Sequence, residues 1–116
     1  MEKKAVQLTE FLDSKKAKDI VLLDIRGKSS LADYFIIATG LNKRHTAALA
    51  DDLEKKAYEL GLSVRSKEGH QSGEWILIDF NDVIVHLFTD ETRSYYSLER
   101  LWHHAKKVEL DIDTTI

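Results

Sequence analysis

The five histidines are the residues best suited to chemistry, because imidazole binds metals and transfers protons near neutral pH. They stand at positions 45, 70, 86, 103 and 104. No two are four residues apart, the spacing that places two ligands on one helical face, so we predict no metal site. His86 lies in a β-rich run, and two roles stay open for it: a hydrogen bond to a neighbouring residue, or a contact with a partner.

Nucleophilic and phosphoryl-transfer chemistry lack their usual residues. The chain contains no Cys, and no Ser occupies the Gly-x-Ser-x-Gly turn that presents the nucleophile of many hydrolases. Asp51 and Asp52 are adjacent in a predicted helix, so their side chains diverge by about 100° and do not clamp one metal ion together. We therefore predict that the protein is not an enzyme and uses no cofactor.

The segment from Thr39 to His45 is a candidate anion contact. It joins a predicted strand to a helix start, where free N–H groups and the helix dipole attract anions. Three cationic or titratable residues occupy the first turn: Lys43, Arg44 and His45. Either a phosphate lies against them, or Lys43 and Arg44 point into water; the second interpretation is favoured because the segment has no Gly-rich phosphate loop.

Acidic residues are concentrated in the segment 68–92, which contains no Lys or Arg. Its carboxylates belong to Glu68, Glu74, Asp79, Asp82, Asp90 and Glu91. A surface of this kind attracts a basic partner and speeds their encounter. The alternative is that these acids are simply solvated.

Length and composition limit the remaining classes. The 116 residues carry a formal net charge of −3, which favours one domain over 1–116 and argues against direct sequence-specific binding of nucleic acid. The apolar runs are too short to span a bilayer, and the N-terminus does not resemble a signal or transit peptide. We expect a cytoplasmic protein without a membrane partner.

Hydrophobic periodicity predicts an α/β domain with a mixed sheet of about five strands. The first helix is predicted over 3–18, the second is capped by Asn42 and followed by Gly61, and the third covers 97–107. The predicted strands are 21–25, 34–39, 62–67, 75–80 and 83–88, Arg93–Tyr96 forms a turn, and the acidic tail 109–116 is frayed.

The last two strands form a hairpin if Asn81 and Asp82 make a two-residue turn. Alternation then gives one purely apolar face, which should pack under helices: Ile76, Ile78, Phe80, Val83, Val85 and Leu87. The other face, here called the aromatic face, consists of Trp75, Leu77, Asp79, Ile84, His86 and Phe88. Either a helix covers the aromatic face or a partner docks on it, and we favour docking.

Three groups of segments together carry a family resemblance. The first is Asp33 to Gly40 with Arg44-His45 and Ala50-Asp51; the second is Glu68-Gly69 with Gly73 to Phe80 and Asp82 to Phe88; the third is Arg93 to Trp102. They resemble the hallmarks of the ribosomal silencing factor S family, also called Iojap-like. The resemblance extends over nearly the whole chain.

This resemblance implies a function. Family members bind the large ribosomal subunit at its protein numbered fourteen, block joining of the small subunit and suppress translation when nutrients are scarce. It also implies a fold similar to nucleotidyltransferases and a homodimer when the protein is free. Because ribosomal proteins are basic, the acidic segment fits such a partner.

The residues and the resemblance together predict a docking surface. Its centre is predicted at Trp75, Leu77, Asp79, His86 and Phe88, with an acidic rim at Glu74, Glu91 and Glu99. Arg93, Tyr95, Tyr96 and Trp102 either extend this surface or anchor the last helix against the sheet. The alternatives are a homodimeric adaptor and an inactive nucleotide-binding protein of the same fold.

Overall fold

The chain contains both helices and strands in the computed structural model. The structure describes residues 1–28, 30–96, 106–108 and 110, and only the backbone of 94–96. The elements are α1 (Glu2–Ser14), β1 (Lys18–Asp24), β2 (Tyr34–Gly40), α2 (Lys43–Glu59), β3 (Ser66–Glu68), β4 (Trp75–Asp79), β5 (Val83–Thr89), α3 (Asp90–Tyr96) and β6 (Lys106–Lys107). The predicted α/β class is confirmed.

The strands form one mixed sheet in the order β3-β4-β5-β2-β1-β6. β2 and β5 run parallel, whereas the other neighbours are antiparallel. All seven residues of β2 are buried, as expected for a strand inside a sheet that is covered on both faces. The predicted mixed sheet is therefore confirmed, with six strands in the described residues rather than about five.

The two long helices pack on the apolar face of the hairpin. Ala5, Leu8 and Leu12 of α1 join the same buried cluster as Leu53 and Ala57 of α2. Opposite them lie the apolar-face residues that the sequence predicted, all in this cluster: Ile76, Ile78, Phe80, Val83, Val85 and Leu87. The prediction that this face packs under helices is confirmed.

The hairpin has the predicted register. Trp75 lies opposite Phe88, and Asp79 lies opposite Ile84. Phe80 N–H donates to the carbonyl oxygen of Val83 at 2.9 Å, and Asn81 takes the positive φ of 78° that a tight hairpin turn needs. Asparagine tolerates this conformation better than most residues, so it serves where glycine is usual.

The first helix ends four residues earlier than the sequence predicted. Ala17 N–H donates to Leu12 O and Lys16 N–H to Asp13 O, each at 3.0 Å, which is the Schellman pattern of a helix end. Lys16 adopts a φ of 72°. Glycine is the common signal for this left-handed position, and its absence made the predicted helix too long. Lys18 begins β1 instead.

The prediction for the third helix was wrong at both ends. The segment Arg93–Tyr96 is helical rather than a turn, because α3 begins at Asp90. Thr89 and Thr92 satisfy each other's backbone: Thr89 N–H donates to Thr92 Oγ1 at 3.1 Å, and Thr92 N–H approaches Thr89 Oγ1 at 3.5 Å. This reciprocal arrangement resembles a capping box.

Lys106 and Lys107 form a strand, not the end of a helix. They pair with Asp24 and Leu23 of β1, and Val108 N–H donates to Leu22 O at 2.9 Å. The open edge of β1 thus gains hydrogen-bond partners. Val108 and Leu110 pack against the core, whereas 97–105 and most of the predicted tail lie outside the described residues.

Candidate functional site

The aromatic face is brought together by the hairpin register. Cross-strand pairs place Trp75 opposite Phe88 and Leu77 opposite His86. β5 also lies beside β2, which adds Phe35 and Ile37 to the same layer. This layer is separate from the core under α1 and α2 and forms a second apolar cluster.

Burial divides the predicted docking centre into two parts. Phe88 is 1% exposed and His86 is 5% exposed, so neither offers much surface to a partner. Trp75, Leu77 and Asp79, all on β4, are only half-buried. The part of the predicted centre that a partner can reach without rearrangement is therefore the β4 row.

Aromatic contacts hold the Trp75 indole in place. Its ring stacks on Phe88, with centroids 5.2 Å apart and an interplanar angle of 27°. Its Nε1–H donates to His86 Nδ1 at 3.1 Å. The imidazole in turn meets Phe35 edge-on at a centroid distance of 5.2 Å. Of the two roles left open for His86, the structure contains the hydrogen bond to a neighbour.

His86 is neutral in this setting. Because its Nδ1 accepts the indole proton, the ring proton resides on Nε2. Burial lowers the pKa of His86 to about 4, since desolvation disfavours the imidazolium. Its Nε2 atom is buried and has no hydrogen-bond partner among the described residues, so the unpaired Nε2–H destabilises the fold.

Two carboxylates flank the exposed edge of the aromatic face. Glu68 of β3 lies opposite Leu77, and directly opposite residues in a sheet share a face. Asp79 follows two positions after Leu77 on the same side. Asp79 Oδ1 also accepts from Asn81 N–H at 2.7 Å, which stabilises the hairpin turn. Asp79 was predicted at this surface and Glu68 was not, because the sequence of the loop between β3 and β4 does not indicate which residues of the two strands pair.

Glu74 and Glu91 lie elsewhere, in a groove at the carboxyl ends of the parallel strands β2 and β5. Glu74 Oε1 lies 3.1 Å from Lys43 Nζ at the start of α2. Its carbonyl oxygen accepts from Thr92 Oγ1 at 2.5 Å. Glu91 is exposed in the first turn of α3. The predicted acidic rim is thus split between the sheet edge and this groove.

Arg93 contacts the sheet. Its Nη1 donates to the carbonyl oxygen of Asp19 and to Thr39 Oγ1 at 2.9 Å. Asp19 lies where β1 bulges, with a φ of 51°. Of the two roles predicted for Arg93, these contacts fit anchoring of α3. The backbone of Tyr95 and Tyr96 belongs to α3. Glu99 and Trp102 are outside the described residues.

The candidate anion contact has other partners. His45 Nδ1 accepts from Leu41 N–H at 2.9 Å, and its Nε2 lies 2.9 Å from Lys15 O. Both ring nitrogens are therefore engaged: Nδ1 with the segment that leads into α2, and Nε2 with the end of α1. Lys43 pairs with Glu74, and Arg44 is exposed. Anion binding by these residues stays a prediction.

Among the described residues, no three His, Asp or Glu side chains lie close enough together to hold a metal ion. The helices in that part of the chain are also too short or too polar to cross a membrane.

Comparison with known proteins identifies the family. A family model described as "Ribosomal silencing factor during starvation" matches residues 1–115. "Ribosomal silencing factor RsfS" of Halalkalibacterium halodurans is 42% identical over 100 residues, which cover 86% of each chain. A crystal structure of a Bacillus halodurans protein superposes with a TM-score of 0.80 at 38% identity, covering 93% of this chain and 99% of that one.

A mouse relative carries a name that refers to the large ribosomal subunit. "Mitochondrial assembly of ribosomal large subunit protein 1" is 33% identical over 100 residues, covering 82% of this chain and 43% of its own. The family model and the closer similarities decide the assignment that the three sequence motifs predicted: this chain belongs to the ribosomal silencing factor family.

Proposed function

We propose that this cytoplasmic protein binds the large ribosomal subunit at its protein numbered fourteen, blocks joining of the small subunit and so represses translation under nutrient limitation. The observation that carries the proposal is the half-buried row Trp75, Leu77 and Asp79, flanked by Glu68, in a chain of this family. An apolar centre with a charged rim is the usual anatomy of a protein interface.

Charge favours a basic partner at this surface. Glu68 is exposed, Asp79 is half-buried, and no ion pair within the described residues neutralises either carboxylate. Complementary charge raises the rate of encounter and disfavours wrong partners. The parts of Trp75 and Leu77 that reach solvent would then become buried against the partner.

The mechanism needs no catalytic residue. A tightly bound domain occludes the small subunit by its volume, and this one has a radius of gyration of 12.7 Å. Its role in repression depends on where it binds and how long it stays, because occlusion lasts as long as the complex.

Co-sedimentation with isolated large and small ribosomal subunits tests the proposal. We expect the wild type to pellet with the large subunit alone. Glu68→Lys and Asp79→Lys should weaken this binding about tenfold, because each places a like charge against a basic partner. Pelleting of the wild type with neither subunit would refute the ribosomal function.

Two controls separate charge from folding. Asp79→Asn keeps an oxygen acceptor for Asn81 N–H, whereas Asp79→Lys loses that turn hydrogen bond. Glu59→Lys makes the same change of charge at an exposed position of α2, on the opposite layer, and should leave binding unchanged. Equal effects of Glu59→Lys and Glu68→Lys would show that net charge matters and the proposed surface does not.

A further inference from the structure

We propose that His86 is a positioning residue for docking: its Nδ1 accepts the indole Nε1–H of Trp75 and holds that ring in the orientation in which it meets the partner. This inference rests on the proposed function, because it assigns Trp75 to the contact surface. It adds a role to a residue that is itself too buried to offer much contact.

The choice of an imidazole at position 86 calls for a reason beyond folding. The residue is 5% exposed, and its Nε2–H has no acceptor in the part of the chain that the structure describes. A buried donor without a partner destabilises the fold, whereas an apolar side chain of similar size avoids that penalty. What imidazole offers and leucine does not is the acceptor at Nδ1, and the structure uses it for Trp75.

The hydrogen bond selects one orientation of the indole. Trp75 stacks on Phe88 at an interplanar angle of 27°, but stacking alone permits the ring to turn over while its plane is kept. Only one of the two arrangements brings Nε1 within 3.1 Å of His86 Nδ1. The acceptor on β5 thus favours the observed orientation before a partner binds, which reduces the conformational entropy lost on binding.

The acceptor persists at physiological pH. Nδ1 accepts only while the imidazole is neutral, and desolvation keeps the pKa of His86 at about 4. Among the residues that the structure describes, the rings against His86 are those of Phe35, Trp75 and Phe88, which carry no charge. The hydrogen bond between Trp75 Nε1–H and His86 Nδ1 therefore does not switch on and off with physiological changes of pH.

The test measures the indole and the binding in the same variants. His86→Leu removes the acceptor, whereas His86→Asn places an oxygen at the position of Nδ1. The chain has two tryptophans, Trp75 and Trp102, and each gives one indole N–H resonance. The resonance that disappears in Trp75→Phe belongs to Trp75. Binding is measured by co-sedimentation with isolated large subunits, and folding by the thermal midpoint.

In His86→Leu we expect the Trp75 indole proton to shift upfield and to exchange faster with solvent. Binding should weaken about fivefold, the factor equivalent to one neutral hydrogen bond, while the thermal midpoint does not fall. His86→Asn should restore both the resonance and the binding. In a Trp75→Phe background, His86→Leu should have no further effect on binding.

Several outcomes would overturn the inference. Wild-type binding by His86→Leu would do so, as would lost binding with an unchanged indole resonance or an additive effect in the Trp75→Phe background. If His86→Leu does not fold, His86→Met, whose unbranched side chain adapts to irregular space, replaces it. If the wild type itself does not bind, the proposed function fails, while a shifted indole resonance still shows that His86 orients the ring.

Discussion

At the scale of single residues, His86 combines a favourable and an unfavourable contact. Its Nδ1 accepts the indole N–H of Trp75 at 3.1 Å, and its buried Nε2–H lacks an acceptor within residues 1–28, 30–96, 106–108 and 110. A polar residue that destabilises the fold while fixing a neighbour is typical of functional positions. The sequence identified the residue and its face, but the choice between partner contact and internal hydrogen bond required the distance to Trp75.

The same imidazole should make folding sensitive to acid. The unfolded chain binds a proton at the ordinary pKa of 6.5, whereas the folded chain does so only near pH 4. The unfolded state therefore gains protons first, and the free energy of unfolding falls as the pH decreases from about 6.5 to about 4. The loss attributable to His86 is on the order of 3 kcal/mol.

Urea unfolding of the wild type and His86→Leu at several pH values measures this loss as the difference between the two curves. Asp24, whose pKa is held at about 2 by the side-chain hydrogen bonds from Arg26, also lowers stability near pH 4, but both proteins contain it and its contribution cancels in the difference. Parallel curves for the two proteins would contradict a neutral, buried His86.

At the scale of elements, the hairpin was predictable and the helix ends were not. The assumption of a two-residue turn at Asn81-Asp82 predicted the register of β4 and β5, and the register determines which residues share each face. The end of α1 depends on Lys16 in a left-handed conformation, for which its sequence gives no signal. β6 depends on an edge of β1 that only the assembled sheet reveals. Local patterns thus predicted the parts of the site that lie within one hairpin.

The loop between β3 and β4 determines where Glu68 lies, and glycine makes its geometry feasible. Gly69 has a φ of 82°, and a Cβ atom there would lie 2.0 Å from the carbonyl oxygen of Trp75. Gly69→Ala should therefore lower the free energy of unfolding by about 2–5 kcal/mol, combining backbone strain with a backbone clash. Denaturant unfolding measures the change.

Gly27→Ala is the matched control. Gly27 has a similar φ of 77°, and a Cβ atom there would meet no described atom within 4 Å. It should lose only the conformational part, about 1–2 kcal/mol. Equal losses in the two variants would mean that the close approach of Gly69 to Trp75 does not constrain the loop.

At the scale of the whole molecule, the two faces of the sheet belong to two separate apolar clusters. The layer with α1 and α2 contains the larger buried cluster, so the fold does not depend on the aromatic face alone. That face has its own cluster and ends at the β4 row and the short edge strand β3. The β4 row is the part of the predicted docking centre that a partner can reach, and each copy of it contacts one partner at a time.

This restriction predicts how self-association and ribosome binding relate. The family resemblance implies a homodimer for the free protein, and the half-buried Trp75 and Leu77 can be covered by a second copy or by the ribosome, but not by both. We expect light scattering to report two copies in the free protein, and quantitative co-sedimentation to report one copy per large subunit. Glu68→Lys, which reverses the charge beside Leu77, should alter both equilibria. Two copies retained on each subunit would place the dimer contact on another surface, and the β4 row would then belong to the ribosome alone.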